Sequence, residues 1–508
     1  MKSARLIPTL LLLIITIAAS ADDKVAKIGE QYFSTLKEAV DSAADGDVIQ
    51  MVADYTTGES ISINTKAITL DLNGKTINYT TDKSGGKIAV QENGSLTITD
   101  SNTEKEGGIA YSTTGAAGIT LIGVKGTCTI EKGNLSFAQT ESAKGCRLVS
   151  VVKNGKLTIN GGNISTVSGN NGAINNNGGD IIINGGAITN SCTAKLEGNP
   201  AITYAATIVN NIHGSLTITG GNIKSNQYAI WVISGAVTLS PAAKYTGKIG
   251  RSDNENDITL ALTDEVELKD VDENLLHSTT TISYKRAKTE NTWGTVCLPF
   301  APDNSEKKIT YFAINKIDAA AKTIDVTEVA EPLANTPYLF MLNSDADGIF
   351  EAHAAIAGSN TAINTSEPAK DVIADGCTLK GVYKTTAVFA SQEDLNKYSG
   401  NAPYDNVCDP AAYYISGNSI CPINSYFYLK PYRAYIAATG QAQSKGSHNY
   451  QVAILDEITG INETASTDSN KKITCIYNLA GQKRNSLQAG VNIVRYSDGT
   501  CRTINIIR

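Results

Sequence analysis

The 508-residue chain has few aromatic residues, few histidines, no excess of positive charge and no Cys-x-x-C pair. Aromatic residues make up 6% of the sequence, and the four histidines are scattered, which gives little support for a zinc site. The net charge is −7 and no basic run stands out. On electrostatic grounds we therefore expect no nucleic-acid partner and no attraction to an anionic membrane.

Long hydrophobic runs are also missing after the first residues, since no later segment approaches the roughly 20 apolar residues of a membrane span. At the start, Lys2 and Arg5 precede an apolar run over 10–17, and small residues fill 19–21. This order is typical of a secretory signal peptide over 1–21, so we expect an exported protein. A transmembrane anchor is the weaker interpretation, because the apolar run is short.

The chain does contain a repeated sequence motif, which is NGKLTINGGNI at 154–164, GGDIIINGGAI at 178–188 and HGSLTITGGNI at 213–223. Looser copies occupy 65–77, 93–100, 125–135 and 234–240. The apolar anchors of the copies are Leu72, Ile98, Ile130, Ile159, Ile183, Ile218 and Leu239. They recur at irregular intervals within the 20 to 50 residues that are typical of solenoids, in which each repeat stacks on the last.

Within one copy, the apolar residues Leu157 and Ile159 alternate with polar residues, as in a half-buried strand. The following Asn160-Gly161-Gly162 predicts a corner, because Asn and Gly tolerate the positive φ that such a turn requires. The repeat therefore predicts a right-handed parallel β-helix over 22–250. Three cysteines of this region are expected to be small buried apolar residues, namely Cys128, Cys146 and Cys192.

The stretch 32–77, with YFSTLKEAVDSAADGDVIQM, resembles the opening of pectate-lyase-like β-helix proteins, in which a short helix and Gly-Asp-x-Ile precede the first rungs. The residues alone also predict that helix, since Thr35 and Glu38 have the spacing of a capping box. One helical face is apolar and carries Phe33, Leu36, Val40 and Ala43. We expect this helix to cap the open end of the β-helix.

The repeat pattern stops near Gly250, and 251–279 is expected to be a connecting segment. Over 280–455, short β-type runs alternate with turn clusters, which favours a β-sandwich-like module. The runs TWGTVCLPF and EPLANTPYLFM resemble an all-β module of large surface proteins in Gram-negative bacteria. The chain is thus expected to be all-β, with a β-helix, a β-sandwich and a small C-terminal β domain.

The C-terminal part reads as a linker over 456–472 followed by a small β domain over 473–508. IYNLAGQKR, LQAGVNIVRYSDGT and RTINIIR resemble the C-terminal sorting domain of type IX secretion. The resemblance implies contact with that secretion machinery and a place outside the cell or on its surface. The alternative is a β-module without sorting activity. Two cysteine pairs are close enough in sequence to close loops, Cys408 with Cys421 and Cys475 with Cys501.

Enzymes of the β-helix family need clustered carboxylates, either around Ca²⁺ with a basic residue or as an acid pair on adjacent rungs. The region 68–250 offers Glu131, Glu141, Asp180 and Glu197 on separate copies, and Asp100, Glu104 and Glu106 in one loop. Arg147 is the only arginine between positions 6 and 250. We expect solvated surface charge at these carboxylates and a protein without catalytic activity.

Two binding sites can be predicted from residue type. Trp231, Tyr228 and Tyr204 could stack on sugar rings if Trp231 points outward, although a packed Trp is an equal alternative. The first half of a Ca²⁺ loop is matched by Asn343, Asp345, Asp347 and Gly348, with Glu351 at the ninth position. The twelfth position is Ala354, so we expect weak Ca²⁺ binding at most, or a plain Asp-Gly turn.

Together these patterns predict an exported surface protein that acts as an adhesin or carbohydrate-binding platform for polysaccharide or host glycoconjugate. The alternatives are a polysaccharide lyase or glycoside hydrolase with a diverged site, and a purely structural spacer. Paired carboxylates on neighbouring rungs in a groove would favour the enzyme. A flat, exposed aromatic strip would favour the binding protein, and the absence of both would favour the spacer.

Overall fold

A computed structural model describes residues 24–80, 85–111, 118–137, 146–167, 172–193, 206–252, 257–343, 346–356, 363, 365, 368–398, 404–440, 449–455, 473–478, 481–484, 490–497 and 500–506. The protein is all-β, with 56% strand and 6% helix. It divides into unit 1 (Met1–Gly214 and Lys224–Ala229) and unit 2 (Ser215–Ile223 and Ile230–Arg508). Within the described ranges, no helix combines the length and the apolar character needed to cross a bilayer.

In the ranges that the structure describes, unit 1 contains one helix and the first twenty strands. They are β1 (Ala26–Ile28), β2 (Gln31–Phe33), α1 (Leu36–Ser42), β3 (Val48–Met51), β4 (Tyr55–Thr57), β5 (Ile61–Ile63), β6 (Ala67–Asp71), β7 (Thr76–Tyr79), β8 (Gly85–Val90), β9 (Ser95–Thr99), β10 (Gly108–Tyr111), β11 (Ile119–Val124), β12 (Thr127–Ile130), β13 (Asn134–Phe137), β14 (Arg147–Val152), β15 (Lys156–Ile159), β16 (Asn163–Thr166), β17 (Ile174–Asn177), β18 (Asp180–Ile183), β19 (Ala187–Asn190) and β20 (Ala206–Asn211).

After β1 and β2, which pair antiparallel, the strands of unit 1 form three parallel series that the chain visits in rotation. The series are β3-β6-β9-β12-β15-β18, β4-β7-β10-β13-β16-β19 and β5-β8-β11-β14-β17-β20. Within the first series, for example, every residue pair joins neighbouring repeats in parallel. The regular stacking confirms the predicted repeat and parallel β-structure, and it is compatible with a β-helix.

The strand register confirms most of the predicted anchors and corrects one. Ile98 pairs with Ile130, Ile130 with Ile159 and Ile159 with Ile183, and each is fully buried. In the preceding repeat, however, the partner of Ile98 is Leu70 and not Leu72. Both leucines are buried and two residues apart, so an alternating pattern alone cannot choose between them.

Local signals for turns and for the first helix are confirmed. Gly162 has a φ value of 82° at the predicted corner, and Gly186 has a φ value of 83° at the equivalent position of the next copy. At α1, the Glu38 amide donates to Thr35 Oγ1 (3.0 Å) and the Thr35 amide donates to Glu38 Oε2 (3.3 Å), which completes the capping box. The predicted apolar residues around this helix are all buried, namely Phe33, Leu36, Val40 and Ala43.

Unit 2 contains the remaining elements, with β22 divided between the units. They are β21 (Ser215–Ile218), β22 (Asn222–Val232), β23 (Val237–Leu239), β24 (Lys244–Arg251), β25 (Ile258–Leu262), α2 (Glu273–Ser278), β26 (Thr281–Ala287), β27 (Gly294–Cys297), β28 (Ile309–Asp318), β29 (Thr323–Val329), β30 (Pro337–Leu342), β31 (Ile349–Ala355), β32 (Asp371–Ala374), β33 (Cys377–Val382), β34 (Thr386–Phe389), α3 (Gln392–Tyr398), β35 (Asp405–Cys408), β36 (Ala412–Ser416), β37 (Ser419–Pro422), β38 (Tyr426–Leu429), β39 (Arg433–Ala438), β40 (Tyr450–Leu455), β41 (Ile473–Asn478), β42 (Lys483–Arg484), β43 (Gly490–Tyr496) and β44 (Cys501–Ile506).

Parallel pairing in unit 2 continues beyond the predicted end of the repeat near Gly250. β23, β25 and β26 pair in parallel, with Leu239 opposite Leu260 and Leu260 opposite Ile282. These strands include part of the predicted connecting segment 251–279. The pattern is hard to see in the sequence because a 3-10 helix over Leu268–Asp270 and helix α2 separate the last two strands. β31 then adds to β26 in the antiparallel direction.

A second, mixed sheet of unit 2 has the order β27-β30-β28-β29-β40-β37-β36-β39-β33-β32, and β44 joins the strands β41–β43 to β40. Its core contains Trp293, Phe312, Leu339, Tyr413 and Ile436. A third, three-stranded sheet has the order β35-β34-β38. The predicted signal peptide 1–21 and linker 456–472 lie outside the described residues.

The nine cysteines are all in the described part of the chain and none forms a disulfide there. Cys128, Cys146 and Cys192 are fully buried, as predicted. Cys475 and Cys501 both lie opposite Arg495, one on each side of β43. Two strand spacings separate their backbones by about 10 Å, beyond the roughly 7 Å that a disulfide can bridge, so the suggested pair is wrong.

Candidate functional site

Four exposed tyrosines lie together on the three-stranded sheet of unit 2. Tyr426 and Tyr428 belong to β38, Tyr398 ends α3, and Tyr404 directly precedes β35. Their exposed fractions are 39% for Tyr398, 37% for Tyr404, 42% for Tyr426 and 45% for Tyr428. We call these four residues the tyrosine strip.

The rings of the tyrosine strip follow one another without a gap. The ring centroids of Tyr398 and Tyr426 are 5.1 Å apart, those of Tyr426 and Tyr428 are 5.3 Å apart, and those of Tyr428 and Tyr404 are 5.4 Å apart. These are the separations of interacting aromatic pairs. The strip is therefore a connected aromatic surface that remains in contact with solvent.

The alternation of β38 explains why two tyrosines share its outer side. Phe427 and Leu429 point to the opposite side and pack in an apolar cluster with Val388. Phe427 also stacks on Tyr414, with centroids 4.4 Å apart and an interplanar angle of 23°. Because one side of the strand is anchored in this cluster, the other side is presented to solvent.

Helix α3 is held against the same strand by Asp394. Its Oδ2 accepts from Ser391 Oγ (2.7 Å), and its Oδ1 accepts from Ser425 Oγ (3.1 Å) just before β38. The Asp394 amide donates back to Ser391 Oγ (3.0 Å). These bonds tie the start of α3 to the strand that carries Tyr426, and so position Tyr398 beside it.

Polar groups accompany the aromatic rings. Asn406 of β35 is exposed and pairs with Ala387, whose partner on the other side is Tyr428. The ammonium group of Lys397 lies 4.9 Å from the ring centroid of Tyr398. Exposed aromatic faces with amide, ammonium and phenol groups at their edge are the chemistry that stacks on pyranose rings and binds their hydroxyls.

Two of the three predicted sugar-binding residues, Trp231 and Tyr228, lie in the described part of the chain. Trp231 is half-buried between the fully buried Ile230 and Val232, so it lies on the outer side of its strand in unit 2. Tyr228 is half-buried and belongs to unit 1. Tyr204 lies outside the described residues. Sugar binding at these three residues stays a prediction.

At the predicted Ca²⁺ loop, Asn343 and Glu351 already have protein partners. Asn343 Oδ1 accepts from Thr310 Oγ1 (3.2 Å), and Glu351 forms an ion pair with Lys285 (3.1 Å). Asp345 lies outside the described residues. In the described part of the chain, no group of three or more His, Cys, Asp or Glu residues could hold a metal ion.

The backbone of the same segment agrees with the alternative interpretation, which is a plain Asp-Gly turn. Asp347 and Gly348 have φ values of 50° and 69°, and the Gly348 amide donates to Glu290 Oε1 (3.0 Å). Asp and Gly tolerate this conformation better than other residues do. Weak Ca²⁺ binding stays a prediction for this segment.

Two carboxylates on neighbouring repeats of unit 1, Asp100 and Asp71, accept hydrogen bonds from turns. Asp100 is 3% exposed, which corrects the expectation of solvated charge there. Its Oδ1 accepts from the amides of Gly74 (2.8 Å) and Asn102 (3.1 Å), and its Oδ2 accepts from the Gly107 amide (2.5 Å). The sequence could not reveal this, because the donors come from turns of two different repeats.

Asp71, on the neighbouring repeat, has the same role. Its Oδ1 accepts from the amides of Asn73 (3.0 Å) and Ser101 (2.8 Å), and its Oδ2 accepts from Gln50 Nε2 (2.8 Å) and Ser101 Oγ (2.7 Å). Burial works to raise the pKa of Asp71, but these hydrogen bonds to the charged form hold the pKa below its ordinary value. All four oxygens of Asp71 and Asp100 are thus used to fix turns.

Sequence reasoning missed the tyrosine strip. The sequence carries a local signal for two of the four residues, since Tyr426 and Tyr428 alternate with apolar residues in SYFYL. Tyr398 and Tyr404 come from a helix and a loop, and only the fold brings them to that strand. Comparisons of this chain with protein-family models, with curated proteins and with solved structures found no match.

Proposed function

We propose that the protein is an exported, non-catalytic surface protein that binds polysaccharide or host glycoconjugate through the tyrosine strip. The observation that supports this function is the continuous row of four exposed rings, Tyr398, Tyr426, Tyr428 and Tyr404. Soluble proteins rarely keep large aromatic side chains clustered at the surface without a ligand or partner for them.

A glycan fits this surface because each ring offers a flat apolar face while its phenol group stays at the water boundary. Sugar rings have the matching character, with apolar C–H faces and polar hydroxyl edges. Asn406 and Lys397 supply donors beside the rings.

In this proposal the parts of the chain have distinct roles. The stacked repeat is a right-handed parallel β-helix of the pectate-lyase-like type and acts as a rigid stalk. The module over 280–455 is a β-sandwich that carries the tyrosine strip. The signal peptide and the C-terminal tail direct the protein through type IX secretion to the cell surface or the medium.

The two alternative functions, an enzyme and a structural spacer, explain fewer of these observations. A lyase or glycoside hydrolase needs carboxylate oxygens that can reach substrate, whereas those of Asp71 and Asp100 accept hydrogen bonds from turns. A purely structural spacer does not explain why four tyrosines are gathered and exposed.

The proposal is tested by mixing mature protein from Asp22 with plant, algal and host polysaccharides. Retention in affinity electrophoresis is measured together with new reducing ends and unsaturated uronates, with and without Ca²⁺. We expect retention by at least one polymer without product. Product formation would favour the enzyme, and neither retention nor product would favour the spacer.

The tail gives a prediction about export. Deleting 473–508 is expected to leave the protein in the periplasm, and surface display of the truncated chain would contradict the assignment. Because β44 pairs with β40, the deletion also uncovers a strand edge and could disturb folding. A fusion of 456–508 to an unrelated periplasmic protein avoids this problem and is expected to carry that protein to the surface.

A further inference from the structure

A small pocket in unit 2 is lined by cationic side chains from two strands and the turn that follows the first. It has a volume of about 120 Å³. Its lining includes Arg286 of β26, Lys288 directly after β26, and Arg433 of β39. Trp293, Phe427 and Leu429 line it as well. We call this feature the cationic pocket.

Several donors of the cationic pocket are buried without a partner. Nε and Nη1 of Arg286, Nε of Arg433 and the indole nitrogen of Trp293 have no hydrogen-bond partner among the described residues. Buried polar groups are normally satisfied, and leaving a charged donor unpaired is costly. Four such donors on three residues that line one cavity indicate that a ligand completes the site.

The arginines are held in place by their surroundings. The Arg286 guanidinium lies 5.2 Å from the ring centroid of Phe340 and 5.5 Å from that of Phe350, and its Nη2 donates to the Thr295 carbonyl (2.6 Å). Arg433 Nη2 forms an ion pair with Asp264 Oδ2 (2.5 Å). Such fixed guanidinium groups bind an anion with little loss of side-chain freedom.

Positive charge is in excess around the cavity. Asp264 is the carboxylate that contacts these cations, and it also accepts from the hydroxyl of Tyr284. Lys288 donates to Thr292 Oγ1 (2.5 Å), a neutral partner. Burial, together with repulsion from Arg286 and Arg433, lowers the pKa of Lys288 to about 8.

We infer that the cationic pocket binds a small oxyanion, a carboxylate or a sulfate or phosphate group, held by Arg286, Arg433 and Lys288. A volume of about 120 Å³ suits one such group and not a whole sugar ring. The inference does not rest on the tyrosine strip, because Phe427 and Leu429 reach the pocket from the side of β38 opposite to Tyr426 and Tyr428.

The test uses the full mature chain carrying Trp231→Phe, which leaves Trp293 in the pocket as the only tryptophan. Its fluorescence is titrated with sodium sulfate, phosphate, acetate or glucuronate at constant ionic strength. We expect saturable binding of at least one anion. The sulfate and phosphate arms distinguish a tetrahedral ligand from the planar carboxylate of the other two.

Lys288→Met removes one cation from the pocket, and Lys285→Met is the matched control. Lys285 lies on β26, three residues before Lys288, and forms an exposed ion pair with Glu351. We expect Lys288→Met to weaken anion binding about tenfold, as for a charged hydrogen bond, and Lys285→Met to leave it unchanged. The inference is overturned if no anion gives saturable binding or if the two variants behave alike.

A pH series provides a second readout. Between pH 7 and 9 Lys288 loses its proton, so the affinity for sulfate is expected to fall in the parent protein. Arg286, Arg433 and Asp264 also carry charged groups at the pocket, and Lys288→Met isolates the part of the pH dependence that comes from Lys288 because it leaves those groups in place. Lys288→Met is expected to show no such decline, and an equal decline in both proteins would contradict the role of Lys288.

Discussion

The substitution Gly126→Ala is expected to destabilise unit 1 by about 3 kcal/mol or more. A Cβ atom at this position would lie 2.1 Å from the Gln91 carbonyl oxygen and 2.3 Å from the Gly94 carbonyl oxygen. Both contacts are with backbone, so no side chain can turn away to relieve them. The loss in free energy of unfolding therefore comes from shifting the backbone of one repeat relative to the next.

The backbone around Gly126 is fixed on both sides. The Gly126 amide donates to the Val90 carbonyl (3.2 Å), and the Gly126 carbonyl accepts from the Lys156 amide (2.8 Å). A displacement that makes room for a methyl group would weaken hydrogen bonds to the repeat before and the repeat after. Close stacking of the repeats is what makes this glycine necessary.

Gly123→Ala is the matched control, three residues away on β11. No other described atom lies within 4 Å of a Cβ placed there, and the backbone φ is not positive. We expect this variant to be neutral or stabilised by a few tenths of a kcal/mol, because alanine restricts the unfolded chain. Hydrogen exchange of peptides over 119–130 measures both effects, and equal protection in the two variants would contradict the stacked arrangement.

The repeat could be predicted because each copy carries its own signals. Alternating apolar residues such as Leu157 and Ile159 indicate a strand, and the glycines after them indicate a corner. Both signals are local and do not depend on the rest of the chain. The anchor at Leu70 could not be chosen over Leu72, since the choice depends on pairing with another repeat. The strands beyond position 250 were hidden by the helices inserted between them.

The sites were largely beyond sequence reasoning because their residues are far apart in the chain. Arg286 and Arg433 line one pocket although they lie on β26 and β39. The tyrosine strip joins a helix, a loop and a strand. Local patterns predict which side chains a strand exposes, but the neighbours of those side chains depend on tertiary packing.

The double substitution of Tyr426 and Tyr428 by alanine is expected to weaken polysaccharide binding about a hundredfold. Each exposed ring that stacks on a sugar contributes roughly 1.4 kcal/mol, which is a factor of about ten in affinity. These two rings are the centre of the strip, since each of them contacts one outer tyrosine as well as the other. Affinity electrophoresis against the retained polymer measures the loss.

Tyr32→Ala serves as the control for this experiment. Tyr32 is 50% exposed, so the substitution removes a comparable surface ring, but it lies in unit 1. We expect its polysaccharide affinity to equal that of the unchanged protein. The double variant should keep its melting temperature because Phe427 and Leu429 hold the inner side of β38, and Tyr32→Ala should keep it because that ring is half exposed. Equal affinity of the double variant and the control would contradict binding by the strip.

The most direct test of the proposed binding surface is chemical footprinting of tyrosine and tryptophan in the presence of a retained polysaccharide. Modification of each residue is measured by mass spectrometry with and without the polymer. Binding through the strip predicts that Tyr398, Tyr404, Tyr426 and Tyr428 are protected while Tyr32 is not. Protection of Trp231 and Tyr228 instead, or of no aromatic residue, would show that the strip is not the binding surface.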